Sequence, residues 1–417
     1  MTDLSGPAIE LLDLIARWIH VIAGIMWVGN SLLFNWLDRS LRTPSDPDTY
    51  GDIWLIHSGG FYLVEKNKGE RSAAGARSLP SPLHWFKWQA YTTWLSGAAL
   101  LVVVYYLGGR ALLVDPAITD ISPRAALLLA VGTIAGAFLL YEATWRTVGV
   151  RAPRLAGGIS IALLVVAIEV LLVGLSARAA FVHVGALLGT VMAGNVVFTI
   201  MPSQRELVAA LSAGREPSQH IADRAKTRSI HNNYLTFPVI ALMLSGHFPS
   251  LYSGAANELT LIALLAGGAA VRHVLNIRFA YPRWRWALAA VIAGTALLLA
   301  ARLGLGPFKG QMRAAGSVAE FGSAMASLPA MVSFDDARRV VDRRCAACHS
   351  ATPSDVSLGV MPGGVAFDTP AQIQAFAQRI RERAVTTRTM PPGNKTRMTE
   401  QERAILAKWT SEGAGVR

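Results

Sequence analysis

Cysteine and histidine stand side by side in the run Cys345-Ala346-Ala347-Cys348-His349, which holds the only two cysteines of a 417-residue chain. This Cys-x-x-Cys-His spacing is typical of covalent attachment of a c-type haem. Both thiols add to the haem vinyl groups and the adjacent histidine ligates the iron, so one helical turn must carry all three side chains. A redox-active cysteine pair and half of a zinc site are the alternatives. The zinc site would need two more ligands, and the redox pair a βαβ setting.

A second iron ligand is expected downstream of this motif. High-potential electron carriers use a methionine sulfur, and Met361, Met390 and Met398 all follow the motif. We predict Met390, because two consecutive prolines directly after it stiffen the loop that would present the sulfur. Met361 comes too early for a chain that must pass around the porphyrin, and Met398 lies against the last helix. For each of the three, packing in an apolar core is the alternative.

The residues around the motif predict a small all-α cytochrome c domain at about 331–417. Ser333 can cap a helix that leads into the motif, and Thr399 with Glu402 has the spacing of a capping box that opens a final helix. A domain of this size has little core of its own, so a haem would supply much of its buried apolar surface. A linker rich in Gly, Ala and Ser is predicted before it, at about 305–330.

The preceding residues, 1–304, have the composition of an integral membrane domain. Hydrophobic residues make up 52% of the chain and charged residues 16%, and the mean hydropathy is +0.37. Eight stretches are long and apolar enough to span a bilayer. They lie at about 14–37, 84–107, 125–145, 156–175, 178–201, 231–248, 258–277 and 285–304. We therefore predict an all-α fold, in which a polytopic bundle of about eight transmembrane helices precedes the cytochrome domain.

Charge in the connecting loops predicts the orientation of this bundle. Arginine and lysine concentrate in alternate loops, while the intervening loops hold only Arg110, Arg124 and Arg178. By the positive-inside rule, the N-terminus and the cytochrome domain then lie on the periplasmic side of a bacterial inner membrane. Bacterial c-type haem is attached on that side, so the two signals agree. The net charge of +12 is spread over separate short loops, so we expect no nucleic acid partner.

Histidines inside the predicted spans are candidates for function. His20 and His183 fall near the predicted outer ends of the first and fifth helices, where a pair at one depth could hold a b-type haem. Hydrogen bonding across the bundle is the alternative for this pair. His84 and His231 fall at inner ends, where interfacial anchoring is the alternative. Glu142 is either part of a proton path or a buried acid with satisfied hydrogen bonds.

Two segments after the first helix carry a resemblance to a known family. They are His-Ser-Gly-Gly-Phe-Tyr at 57–62 and Leu-His-Trp-Phe-Lys-Trp-Gln-Ala-Tyr-Thr-Thr-Trp-Leu-Ser-Gly at 83–97. Together with the first helix, the Cys-x-x-Cys-His run and the Met-Pro-Pro run at 390–392, they resemble the bacterial membrane-bound urate hydroxylase family. In that family an N-terminal membrane domain precedes a cytochrome c domain, so the resemblance covers nearly the whole chain. Ser58 departs from the third glycine expected in the loop.

The resemblance implies oxidation of urate to 5-hydroxyisourate. Electrons would leave through the c-type haem to the respiratory chain, by a soluble cytochrome or a terminal oxidase, rather than to oxygen as peroxide. Urate is flat and anionic, so Trp85, Trp88 and Phe61 suit stacking against it, and Lys87 suits its charge unless that lysine snorkels to lipid. Removing a proton from the attacking water needs a base. The candidates for this base are His84, His231 and His57.

Two other functions stay open. A non-catalytic membrane cytochrome that relays electrons for a separate dehydrogenase predicts haem spectra without turnover by the purified chain. A transporter with a redox-sensing tail predicts urate flux without oxidation. A weak internal repeat, in which the last four helices resemble the first four, suggests this function. The long loop at about 38–83 favours catalysis, because a bare membrane anchor does not need a Gly-Gly-aromatic connection of that length.

Overall fold

A computed structural model gives the fold of the chain. It describes residues 6–44, 48–68, 70–71, 77–78, 82–107, 112–114, 119, 121–248, 251–252, 257–302, 315–355 and 365–416. These residues are mostly helical, as predicted. The helices before residue 303 form one bundle, and those after residue 314 form a small C-terminal unit.

Nine helices of the described chain belong to the bundle. They are α1 (Gly6–Ser40), α2 (Trp88–Leu101, continued by a π-helical turn Val102–Leu107), α3 (Pro123–Arg151), α4 (Pro153–Gly174), α5 (Ala177–Asn195, continued by a π-helical turn Val196–Ile200), α6 (Met201–Ser212), α7 (Gln219–Ser245), α8 (Asn257–Ile277) and α9 (Trp284–Arg302). Because α5, its π-helical turn and α6 are continuous, they form a single span.

Seven candidate membrane spans occur in the described chain, which is consistent with a membrane protein. Seven of the eight predicted stretches correspond to them. The remaining stretch, 231–248, lies in α7, which is not among the seven. The first half of α7 is polar and includes Arg228, Asn232 and Asn233, so its hydropathy is low. The eighth crossing therefore stays a prediction.

Helix α5 forms the centre of the bundle. Its buried side chains include Phe181 and Val184, which pack in one apolar cluster with Leu171 of α4 and Leu261 of α8. Helices α7 and α8 approach each other closely at Gly268. A Cβ added there would lie only 2.8 Å from the Pro238 backbone nitrogen. In contrast, no residue of α9 is buried. The bundle thus has a tightly packed centre and an open periphery.

A β-hairpin departs from the predicted all-α fold. Strands β1 (Thr49–His57) and β2 (Gly60–Asn67) pair antiparallel, and two-residue strands β3 (Glu70–Arg71) and β4 (Arg77–Ser78) pair after them. Ser58 and Gly59 connect β1 to β2 with φ values of 50° and 76°. Positive φ at both positions gives the right-handed twist that hairpin strands need, and glycine takes this conformation without strain.

The C-terminal unit contains α10 (Ala315–Ala326), α11 (Phe334–Arg344), α12 (Pro370–Ala375), α13 (Ala377–Ile380, continued by a π-helical turn Arg381–Thr386) and α14 (Glu400–Ser411). Both predicted helix starts are confirmed, because Ser333 with Asp336 and Thr399 with Glu402 form capping boxes. Helix α10 packs against α14. Part of the predicted linker is therefore an ordered helix of this unit.

Candidate functional site

The Cys345–His349 run forms one turn at the end of α11. The backbone amides of Cys348 and His349 donate to the carbonyl of Cys345 at 3.2 and 2.9 Å. His349 lies with its ring centroid 5.3 Å from that of Phe367, and its Nδ1 lies 3.1 Å from the carbonyl oxygen of Val365. A proton on Nδ1 donated to this carbonyl leaves Nε2 available as a metal ligand. The donor set and its single turn fit the residues that a c-type haem requires.

The protonation of the two thiols argues against a redox-active pair. Burial raises the pKa of the Cys345 thiol to about 12. Burial and the nearby Asp355 carboxylate raise the pKa of Cys348. Reactive cysteines have lowered pKa values, because the thiolate is the nucleophile. Both thiols are free in the structure, and in the described ranges no three His, Cys, Asp or Glu side chains are grouped to hold a metal ion.

The candidate methionines differ in their surroundings. Met398 is only 3% exposed and packs in the apolar core of the C-terminal unit. Met390 is half-buried, and its backbone is held on both sides: its amide donates to Arg383 at 3.0 Å and its carbonyl accepts from Arg403 at 3.2 Å. A fixed backbone with an accessible thioether suits an axial ligand better than a core side chain does. Met361 lies outside the described residues.

Glu402 connects the Cys-x-x-Cys-His turn to the last helix. Its carboxylate accepts from Arg344 Nε at 2.9 Å while also closing the capping box of α14. Arg344 immediately precedes Cys345, and its guanidinium also donates to the carbonyl of Thr396 in the loop after Met390. One arginine thus connects the Cys-x-x-Cys-His turn, the methionine loop and α14.

His20 packs against α2. Its Nδ1 lies 2.9 Å from the carbonyl oxygen of Thr93 and 3.2 Å from Oγ of Ser96. Gly97 leaves room for the ring, since a Cβ there would lie 2.9 Å from Cε1 of His20. The local sequence therefore shapes a fitted place for this imidazole on one helix face.

His183 is fully buried and both of its ring nitrogens are engaged. Nδ1 lies 2.7 Å from the carbonyl oxygen of Ala179, and Nε2 lies 2.9 Å from the hydroxyl of Tyr106. Tyr106 lies in the π-helical turn that continues α2, whereas His20 contacts the earlier α2 residues Thr93 and Ser96. A haem ligand needs a ring nitrogen without another partner. These contacts of His183 therefore lend no support to the predicted b-type haem between His20 and His183.

Two of the candidate bases are exposed. His57 ends β1, and its Nδ1 lies 2.7 Å from Oγ of Ser58. His84 precedes α2. Neither contacts the other or His231 by a hydrogen bond or ring contact within the described chain. The predicted stacking residues are also open, since Trp88 is 67% and Phe61 75% exposed. Trp85, in contrast, is partly buried against the cluster of Ala90, Val196 and Met201. Lys87 Nζ lies 5.5 Å from the centroid of the Trp88 ring.

His231 lies inside the bundle. Its Nδ1 is 2.7 Å from the hydroxyl of Tyr141, and its ring centroid is 4.2 Å from that of Trp145. Asn195 donates from Nδ2 to the Tyr141 hydroxyl at 3.1 Å and to Oδ1 of Asn232 at 2.9 Å. Helices α3, α5 and α7 thus hold one connected polar network around a histidine. We name Tyr141, Trp145, Asn195, Arg228 and His231 the inner cluster.

An ion-pair group adjoins this histidine. Glu142 accepts from Arg228 Nη2 at 2.8 Å and from Arg146 Nε at 2.6 Å. The Arg228 side chain is 4% exposed, whereas that of Arg146 is 60% exposed. The Arg228 guanidinium carbon lies 4.9 Å from the Tyr141 ring centroid. Glu142 is therefore a buried acid with its hydrogen bonds satisfied, one of the two alternatives that the sequence left open.

Sequence reasoning found His231 and Glu142 but missed their partners. Arg228, His231 and Asn232 recur at i, i+3 and i+4 of α7, so they share one helix face. That spacing of polar residues, at the start of a predicted span and just before it, was the available signal. A second buried group joins α7 to α8, where Arg272 Nε donates to Asn233 at 3.0 Å.

Comparison with known proteins gives one match. The family model described as urate oxidase N-terminal matches residues 7–302, which contain the whole bundle and the inner cluster. No curated protein and no solved structure matches the chain. The family match covers well over half of the chain. The chain therefore belongs to the urate oxidase N-terminal family.

Proposed function

We propose that this protein is a membrane-bound oxidoreductase that oxidises urate to 5-hydroxyisourate and passes the electrons through a c-type haem to an acceptor of the respiratory chain. Membership of the urate oxidase N-terminal family suggests urate as the substrate. The observation that carries the electron route is the Cys345–His349 turn, with His349 Nδ1 held by the Val365 carbonyl. Urate, membrane lipid and that acceptor are its partners.

The residues that would hold the haem are Cys345 and Cys348 through thioether bonds, and His349 and Met390 as ligands of its iron. When bound, this group supplies a one-electron redox centre. Burial raises the pKa of both thiols, which favours the protonated form over the reactive thiolate. Attachment on the periplasmic side agrees with the loop charges, which together with eight crossings predict that the C-terminal unit lies outside the inner membrane.

Oxidation of urate to 5-hydroxyisourate adds water and releases two electrons and two protons. Water attack therefore needs a base. We assign this role to His231 rather than to His84 or His57, because it is the candidate inside the bundle. A proton on Nδ1 donated to Tyr141 would leave Nε2 of His231 as the basic atom. The Trp145 ring beside it supplies a flat surface suited to a purine.

The experiment that tests this proposal is an absorption spectrum of the purified, detergent-solubilised chain, mixed with urate without oxygen. Reduction of c-type haem bands by urate alone is the expected result. Haem bands that dithionite reduces but urate does not would refute self-contained oxidation. That outcome would favour an electron relay for a separate dehydrogenase. A b-type band in the same spectrum would revive His20 and His183 as ligands.

The histidine assignment has its own comparison. His231→Gln preserves volume but not basicity, and we expect it to slow haem reduction by urate about 100-fold or more. His84→Gln and His57→Gln are the controls, because they make the same His-to-Gln replacement at exposed positions. A loss confined to either of these two variants would contradict the assignment to His231.

A further inference from the structure

Arg228 is a buried cation with an unused hydrogen-bond donor. The residue is 3% exposed, and its Nη2 pairs with Glu142 at 2.8 Å. Its Nη1 is buried and has no hydrogen-bond partner among the residues that the structure describes. A buried charged donor without an acceptor costs free energy, so a position of this kind calls for a ligand. From it we infer that Arg228 is the group that binds the anionic edge of the substrate.

The charge around Arg228 favours an anion. Glu142 is the acidic partner of both Arg228 and Arg146, so one carboxylate faces two guanidinium groups. The group therefore keeps one positive charge. Arg146 is largely exposed and screened by its surroundings, whereas Arg228 is not. An anionic ligand at Arg228 would therefore compensate the excess positive charge of this group.

The surroundings of Arg228 favour a flat ligand. Its guanidinium carbon lies 4.9 Å from the Tyr141 ring centroid and 5.8 Å from that of Trp145. The same two residues contact His231, at 2.7 Å for the Tyr141 hydroxyl and 4.2 Å between the Trp145 and His231 rings. The cation, the two aromatic rings and the imidazole thus form one contiguous group. Planar heterocyclic anions with carbonyl oxygens, such as the urate monoanion, match this combination.

A second buried arginine is the internal rival. Arg272 is 2% exposed, and its Nη2 also lacks a hydrogen-bond partner in the described chain. Its contacts are Asn233 and the Phe237 ring, with no histidine and no carboxylate among its described contacts. It therefore offers charge without a candidate base. This difference selects Arg228.

The inference rests on the proposed function and deepens it by naming the substrate-binding group. Binding is measured apart from oxidation by equilibrium dialysis of labelled urate against the full chain, with its haem first reduced by dithionite. A reduced haem accepts no electrons, so urate stays intact. Arg228→Lys keeps the positive charge beside Glu142 but has a single donor nitrogen. It therefore lacks the second nitrogen, Nη1, that we propose contacts the substrate. We expect it to bind urate roughly 10- to 100-fold more weakly than the wild type.

Arg146→Lys is the matched control, because it alters the other cation of the same carboxylate. We expect its affinity to change by less than about threefold, since the side chain is exposed. If Arg228→Lys does not fold, Glu142→Gln combined with Arg228→Gln replaces the buried ion pair by a neutral pair. That double variant should show the same or greater loss of binding.

Three outcomes would overturn the inference. Unchanged urate affinity in the Arg228 variants, with wild-type haem still reduced by urate, would refute this role and leave the proposed function standing. Weaker binding in Arg272→Lys alone would move the site to α8. A wild type that neither binds urate nor is reduced by it would refute the proposed function and the inference together.

Discussion

The hydroxyl of Tyr141 on α3 lies 2.7 Å from Nδ1 of His231 on α7. This bond orients the imidazole that we propose as the base. We predict that Tyr141→Phe lowers kcat for urate-dependent haem reduction about 10-fold and changes KM little, because orientation is lost while the aromatic ring remains. Initial rates over a range of urate concentrations measure both constants.

Tyr106→Phe is the control for this change. It removes the same atom from another tyrosine–histidine pair, where the hydroxyl lies 2.9 Å from Nε2 of His183. We expect lower stability, by about 1 kcal/mol, but unchanged kcat. An equal fall of kcat in both variants would show that the Tyr141 effect is a general loss of packing.

Replacing Met390 or Met398 by alanine should have two different effects, one on the haem and the other on stability. Met390→Ala removes the proposed sixth ligand, so the reduction potential of the haem should fall and the charge-transfer band of methionine-ligated ferric haem should disappear. Met398→Ala leaves a cavity in the core and should cost about 2–5 kcal/mol of stability while that band persists. Redox titration and absorption spectroscopy distinguish them. A band lost only in Met398→Ala would exchange the two roles.

The two cysteines should be equally required for covalent haem. Cys345→Ser and Cys348→Ser each remove one thioether, and the double variant removes both. We expect the double variant to lose haem on a denaturing gel stained for haem peroxidase activity, and each single variant to hold it weakly. Haem staining of the double variant at the wild-type level would exclude attachment through this turn.

Acid should weaken the connection after the Cys-x-x-Cys-His turn. Hydrogen bonds from the Ser350 hydroxyl and the Ala351 amide to Asp368 lower the pKa of its carboxyl. A depressed folded pKa gives stability that is present above the unfolded value, about 4, and is lost as pH falls through the folded value. Asp368→Asn should therefore lower the melting temperature followed at the haem band at pH 7. The difference from wild type should shrink as pH falls below about 4.

Packing between α7 and α8 should depend on Gly268. A Cβ there would lie 2.8 Å from Pro238 N and 3.0 Å from the carbonyl carbon of Phe237, and backbone atoms cannot move aside cheaply. We predict that Gly268→Ala destabilises the bundle by about 1–3 kcal/mol. Gly294→Ala on α9 is the control, because a Cβ there meets no atom of the described chain within 4 Å. Size-exclusion profiles after heating in detergent report both.

The features that could be predicted from sequence are those that neighbouring residues determine. Ser333 and Thr399 cap their helices through residues three positions away, and Cys345 to His349 form their turn within five residues. The hairpin was missed although the sequence carries a signal for it: two runs with aromatic and β-branched residues, at 49–57 and 60–67, flank a Ser-Gly turn. The helix at 315–326 was missed because its packing partner, α14, lies far along the chain.

The inner cluster shows why a site inside a bundle resists prediction. His231 was recognised as a candidate, yet its partner Tyr141 stands 90 positions earlier on another helix. A single sequence does not specify which faces of α3 and α7 meet. His231 was grouped with the exposed His84 and His57 because all three are predicted on the same side of the membrane. A shared side restricts the depth of a residue in the membrane but does not show which residues touch.

Burial is distributed very unevenly over the spans, and this predicts where the chain tolerates change. In the most apolar window of each span, 72% of the residues are buried for the α5–α6 span, 6% for α1 and none for α9. Exposed side chains of α1 and α9 make few protein contacts, so many apolar residues can replace one another there. Thr295 of α9 is an exception, because a Cβ on Gly267 of α8 would lie 2.7 Å from its side chain. Substitutions in α5 must also fit their neighbours. A library of random apolar replacements should therefore be accepted freely in α9 and rejected at most positions of α5.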